Sequence, residues 1–206
     1  MTTKLLALSL GLILIAMTTS ADGIPPTETL QKPMDAIIGI LKDPQYNAKD
    51  KKEAQREKLW KVVRGFFDFR EMSKRSLGSN WKRFNPGQQD QFTDVFSTLL
   101  GNIYLNKVQG GYHDEKVLYL SEEIIKDKKA VVKTKIVREN AEIPMDYHMR
   151  LQGKKWKVYD IIIEGVGLVK NYRTQFKKIL RKESPDKLIE RLKKKNEAQK
   201  KKTAQQ

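Results

Sequence analysis

Apolar side chains recur every three or four residues towards both ends of this chain and every second residue in its middle, which predicts helices, then strands, then helices. Met34, Ile37, Ile38 and Leu41 form the apolar side of a first helix, with Pro33 in its first turn and Pro44 ending the pattern. A charged segment, 48–64, leads into Leu59, Val62 and Val63 at helical spacing. Asp68 and Glu71 have capping-box spacing, so a short helix is predicted over 69–77 with Gly78 as its stop. The clearest helix follows Asn85. Pro86 takes its first position, Gln88 stands three residues after the cap, and Phe92, Val95, Phe96, Leu99, Leu100, Ile103 and Tyr104 face one way until Gly110 and Gly111 end it.

From Glu115 to Glu164 the period is two, and four strands are predicted: 116–125, 130–139, 142–152 and 155–163. The third is the most regular, with Ile143, Met145, Tyr147, Met149 and Leu151 on one face and Asp146, His148 and Arg150 on the other. Short connections make these strands an antiparallel meander. Helical spacing returns at Val169, Tyr172, Phe176 and Leu180, and Ser184-Pro185 opens a last helix carrying Leu188, Ile189 and Leu192. The segment 193–206 has no large apolar residue, so it is expected to be a disordered basic tail whose removal leaves folding intact. Helices, sheet, helices in that order define an α+β layered domain.

The first residues add a destination. Lys4 precedes an uncharged apolar run from Leu5 to Ala16 and then small residues from Thr18 to Ala21, the pattern of an export signal cleaved after Ala21. That run is too short to span a bilayer comfortably, and no second span follows, so a soluble exported product is expected. One domain then occupies 22–192, with a helical part over about 22–112, the sheet over about 115–164 and closing helices over about 167–192. The absence of cysteine excludes a lipid-anchored lipoprotein, a disulfide framework and thiolate chemistry. The formal charge is +16, and the stretch 191–206 holds seven Lys or Arg against one Glu. For an exported chain, anionic lipid headgroups or an acidic partner suit this charge better than nucleic acid, which is not expected as a partner.

Candidate chemistry is sparse. No nucleotide-binding, nucleophile-elbow or zinc-ligand spacing occurs, so no catalytic residue, cofactor or metal is assigned. His113 falls in a turn and His148 on the polar face of a strand, each without an orienting partner in the pattern. Tyr147, Tyr159 and Asp160 on a cupped sheet are the best elements of an isomerase-like pocket. Alternation puts Tyr159 and Asp160 on opposite faces, so both reach one cavity only through a bulge. Aromatic residues, Trp60, Phe66, Phe67, Phe69, Trp81, Phe92, Phe96, Tyr104, Trp156 and Phe176 among them, recur on predicted inner faces, and periodicity alone fits either a packed core or a lined cavity.

The chain resembles the MlaC, or toluene-tolerance, family of periplasmic phospholipid-binding proteins. The resemblance rests on Phe67-Asp68-Phe69 with Met72, Leu77-Gly78 with Trp81, Pro86 leading to Gln89, Phe92, Phe96, Leu99-Leu100 and Tyr104, and Ile143-Pro144 with Tyr147. It continues through 156–160, Glu164-Gly165-Val166, Asn171-Tyr172-Arg173 and Gln175-Phe176. It departs at Gly167, where many relatives place a capping Ser, and in the length of the basic tail. The resemblance implies a curved antiparallel sheet of four or five strands, nuclear-transport-factor-like, which with N- and C-terminal helices encloses a hydrophobic cavity. It further implies a non-enzymatic phospholipid shuttle between an outer-membrane lipoprotein complex and an inner-membrane MCE-domain protein attached to an ABC transporter; transient contact with membrane surfaces is expected from the basic charge instead. The expected lipid-binding residues are Phe96, Leu100, Tyr104, Val132, Ile136, Met145, Tyr147, Met149, Val158, Ile161, Val166 and Tyr172. A periplasmic adaptor without ligand and a small-molecule isomerase stay open beside it.

Overall fold

A computed structural model describes residues 23–126 and 128–204; the expected export signal and its cleavage site lie outside them. Helix α1, Pro26–Lys42, starts at Pro26 and carries Pro33 inside it, earlier than the expected start at Pro33. Pro26 already fills the first position, where a missing N–H costs nothing. Helix α2, Lys52–Phe66, is followed by α3, Phe69–Leu77, whose N-cap Asp68 accepts from the Glu71 N–H at 2.9 Å. That cap is one-sided, because the Asp68 N–H donates instead to the Val158 carbonyl at 2.7 Å and Phe67 bridges Val158. A 3-10 turn, Gly78–Arg83, leads to α4, Pro86–Gly111, where Asn85 and Gln88 form the reciprocal capping box at 2.9 and 3.0 Å.

Five antiparallel strands follow in spatial order β1 to β5: Lys116–Ile125, Lys129–Arg138, Ala141–Gln152, Lys155–Ile163 and Val166–Gly167. The first four sit within a residue or so of their predicted bounds. The two-residue β5 pairs only with Ile162 and Ile163, too short a stretch for alternation to announce. Helix α5, Leu168–Leu180, and helix α6, Pro185–Ala204, complete the chain.

Two apolar clusters divide the interior. Met72, Phe92, Phe96, Leu99, Tyr172, Phe176, Leu188 and Ile189 join α3 to α6 into a helical layer. Leu30, Phe66, Val132, Tyr147, Met149, Trp156 and Val158 join one face of the sheet to α1 and α2. Across the seam, Arg150 of β3 pairs with Asp68 at 3.2 Å and with Glu71 at 3.0 Å, tying the sheet's polar face to the start of α3.

The expected disordered tail is corrected: α6 continues through 193–204 as helix. It lies parallel to α4, with Asp186 near Gln88 at one end and Asn196 against Val95 and Asn102 further along. Asn196 is buried, donating to the Val95 carbonyl at 2.9 Å and accepting from the Asn102 amide at 3.3 Å. Asn102 in turn accepts from Arg56 at 2.6 Å. Composition missed this helix because its continuing anchor is a polar residue at the i+4 position from Leu192.

Candidate functional site

Sheet, α1, α2 and α4 surround a cavity of about 330 Å³. Ile136 of β2, Ile143, Met145 and Tyr147 of β3, and Ile161 and Ile163 of β4 supply its floor. Met34, Ile37, Ile38 and Leu41 of α1, Trp60 and Val63 of α2, and Leu100, Tyr104 and Leu105 of α4 supply its walls, with Phe69 and Met72 of α3 at the side. Gly101 lets α4 approach the Trp60 ring: a Cβ there would stand 2.8 Å from the ring's Cζ3.

Of the lining residues, Lys107, Val108 and Arg138 are exposed, which puts the mouth at the C-terminal end of α4, beside the start of β1 and the end of β2. Glu115, buried at this rim, pairs with Arg138 at 2.9 Å and accepts from the His113 N–H at 2.7 Å. Lys107 lies over the Tyr104 ring, 5.8 Å from its centroid. Deeper, the buried Tyr147 hydroxyl donates to the Met145 sulfur at 2.9 Å, with the Met34 sulfur at 3.9 Å. Burial pushes the Tyr147 hydroxyl's pKa well up and that of Tyr119 to about 12, so both remain neutral across the physiological range.

Six of the expected lipid-binding residues, Leu100, Tyr104, Ile136, Met145, Tyr147 and Ile161, line this cavity. The other six do not. Phe96 and Tyr172 pack edge-to-face at 4.9 Å inside the helical layer, on the side of α4 turned towards α5. Val132, Met149 and Val158 share the correct sheet face but are fully buried with Leu30, Phe66 and Trp156, Val132 directly opposite Tyr147 and the other two further along the sheet. Val166 is exposed on β5. No residue of α1 or α2 is among the expected lipid-binding residues, although the spacing of Met34, Ile37, Ile38 and Leu41 marks an apolar side in need of cover.

The candidate isomerase pair is separated. A bulge skips Tyr159 in the β3–β4 register, so that His148 faces Asp160 and Met149 faces Val158. Tyr159 enters the helical cluster under Arg75, 4.2 Å from its ring centroid. Asp160 accepts from the Val169 N–H at 3.0 Å and so caps α5, supplying the oxygen that Gly167 lacks. Desolvation raises the Asp160 pKa, against the smaller lowering effect of that N–H. Neither residue lines the cavity, nor does His113 or His148. Among the described residues no group of three or more His, Cys, Asp or Glu is placed to hold a metal, and no helix is long and apolar enough to cross a membrane.

A family model described as MlaC protein matches residues 31–194. The chain belongs to the MlaC family. Its MlaC segment holds every lining residue, from Met34 to Leu168, while Asn196 and the lysines after it lie beyond. The chain is 23% identical over 163 residues to toluene tolerance protein Ttg2D of Pseudomonas putida, covering 78% of this chain and 75% of that one. It is 26% identical over 121 residues to the intermembrane phospholipid transport system binding protein MlaC of Haemophilus influenzae, covering 56% of each. Among solved structures, a phospholipid-binding protein of Ralstonia solanacearum in complex with a phospholipid has the same fold, with a TM-score of 0.74 and 23% identity over 85% of this chain and 99% of that one.

Proposed function

We propose that this protein is a periplasmic phospholipid carrier that shelters acyl chains in the cavity between the sheet and α1, α2 and α4. The observation that carries this reading is an open volume of about 330 Å³ with apolar walls and charge confined to its rim. That volume falls in the range of ligand sites, about 300–1,000 Å³. At about 0.8 kcal/mol per CH₂, exposing one chain of roughly 15 carbons to water costs about 12 kcal/mol, so a carrier between membranes has to enclose its cargo. Methionines at positions 34, 72 and 145 suit walls that adapt to chains of differing shape. A phosphate remaining at the mouth meets Lys107 and Arg138 without the cost of burial.

In this reading the protein exchanges lipid with an outer-membrane lipoprotein complex and with an inner-membrane MCE-domain protein linked to an ABC transporter, and it performs no chemistry on the cargo. A packed adaptor has no use for the open volume, and the isomerase reading loses its Asp160 to the cap of α5. Extraction of purified protein into organic solvent followed by mass spectrometry tests the proposal. It expects phospholipid in stoichiometric amount; protein purified from a lipid-replete periplasm without any would overturn it.

A further inference from the structure

Lysines from several elements stand at the end of the molecule where the cavity opens. Because α6 runs parallel to α4, with Asn196 beside Asn102, five further residues along each helix, about 7.5 Å, bring Lys201 level with Lys107. Lys200 and Lys201 are exposed there. Gln109, near the end of α4, donates to the Lys52 carbonyl at 3.0 Å, which brings exposed Lys51 and Lys52 to the same end. Asp50 and Glu53 stand among them, and at the mouth Asp114 pairs with Lys42 at 3.1 Å and Glu115 with Arg138 at 2.9 Å; the five lysines keep the balance basic. Val108, an apolar side chain on the rim next to Lys107, is 38% exposed.

We propose that this end is a docking face for an anionic phospholipid bilayer, with the lysines spread over the headgroups and Val108 directed at the lipid. Charge complementarity selects the occupant: exposed lysines on three separate elements form a broad basic rim suited to a diffuse anionic sheet. Only the orientation of the mouth towards lipid rests on the carrier reading; the docking itself does not.

Sedimentation with vesicles of phosphatidylcholine, alone or with a minority of phosphatidylglycerol, tests it. Binding should require phosphatidylglycerol and disappear in roughly 0.5 M salt, where screening shortens the reach of charge to a few ångströms. The triple variant Lys107→Glu, Lys200→Glu, Lys201→Glu should lose about tenfold or more in vesicle affinity. A control of equal charge change where α5 ends, short of the start of α6 and so away from the mouth, Lys177→Glu, Lys178→Glu, Lys182→Glu, should retain affinity within about twofold. Circular dichroism melts establish that both variants are folded, and extracted phospholipid is measured on the same preparations. Indifference to phosphatidylglycerol, or equal loss in the two variants, would overturn the proposal; the first result would leave an acidic protein as the occupant. Docking by a protein found without lipid would uphold this face while overturning the carrier reading.

Discussion

Met145 and Met149 project from the same face of β3, yet one meets open volume and the other a filled core. Met145 lines the cavity and is partly exposed; Met149 is fully buried with Leu30, Trp156 and Val158. A glutamate at either position therefore has different consequences. Met149→Glu buries an unpaired carboxylate with no route for water, and should destabilise the fold by about 3–5 kcal/mol. Met145→Glu places the charge where water enters once lipid has left, so the melting temperature should change little while extracted phospholipid falls sharply. Melting curves and a phosphorus assay on both variants decide it, and equal unfolding would remove the distinction between core and cavity. Alternation in the sequence named the correct face but not the depth along it. Met149, Val132 and Val158 were therefore expected beside lipid, because what covers them, Leu30 and Phe66, comes from helices with no sequence signal for their docking.

Asp160 supplies a pH-dependent prediction. Burial raises its folded pKa above the unfolded value, so the folded state is favoured by protonation and this contribution is lost as pH rises from about 4 through the folded pKa. Asp160→Asn cannot titrate and keeps an oxygen for the Val169 N–H. Whatever its offset in acid, the stability of Asp160→Asn relative to the parent should rise between pH 4 and pH 7. Denaturant melts across that range would refute the assignment if the difference fell.

Among whole elements, the helices carry two glycines whose replacement should act in opposite directions. A Cβ added to Gly39 in α1 would meet nothing within 4 Å, and the backbone there has no unusual angle, so Gly39→Ala should stabilise by roughly 0.4–1 kcal/mol through the unfolded chain. Gly101 in α4 would drive a Cβ against the rigid Trp60 indole, and Gly101→Ala should cost about 1–3 kcal/mol by forcing α2 and α4 apart. Thermal melts of the two variants give the signs directly. Most element boundaries were legible because local signals mark them: Asn85-Pro86 with Gln88, Asp68 with Glu71, and the strict alternation of β3. The bulge at Tyr159 was not, since an inserted residue leaves composition unchanged and only shifts which face follows.

For the molecule as a whole, the order of helices, meander and helices already specified the layers, and the chain's similarity to the MlaC family specified the hollow between them. The last helix was underestimated, and its anchoring reverses an expectation drawn from composition. Leu188, Ile189, Leu192 and Asn196 make one buried face of α6 against α4, and the final member is held by the Val95 carbonyl and the Asn102 amide. Truncation after Leu192 removes Asn196 and leaves Asn102 and the Val95 carbonyl without that partner. Unsatisfied buried polar groups cost about 1–3 kcal/mol, so this truncation should lower the melting temperature measurably. Truncation after Gln199 keeps Asn196 in place and removes the exposed Lys200 and Lys201 with the residues that follow them. It should melt like the parent and carry as much phospholipid, while binding anionic vesicles less well. Equal stability of both truncations would return α6 beyond Leu192 to the status of a dispensable tail, whereas loss of lipid from the longer one would extend the carrier's wall past Asn196.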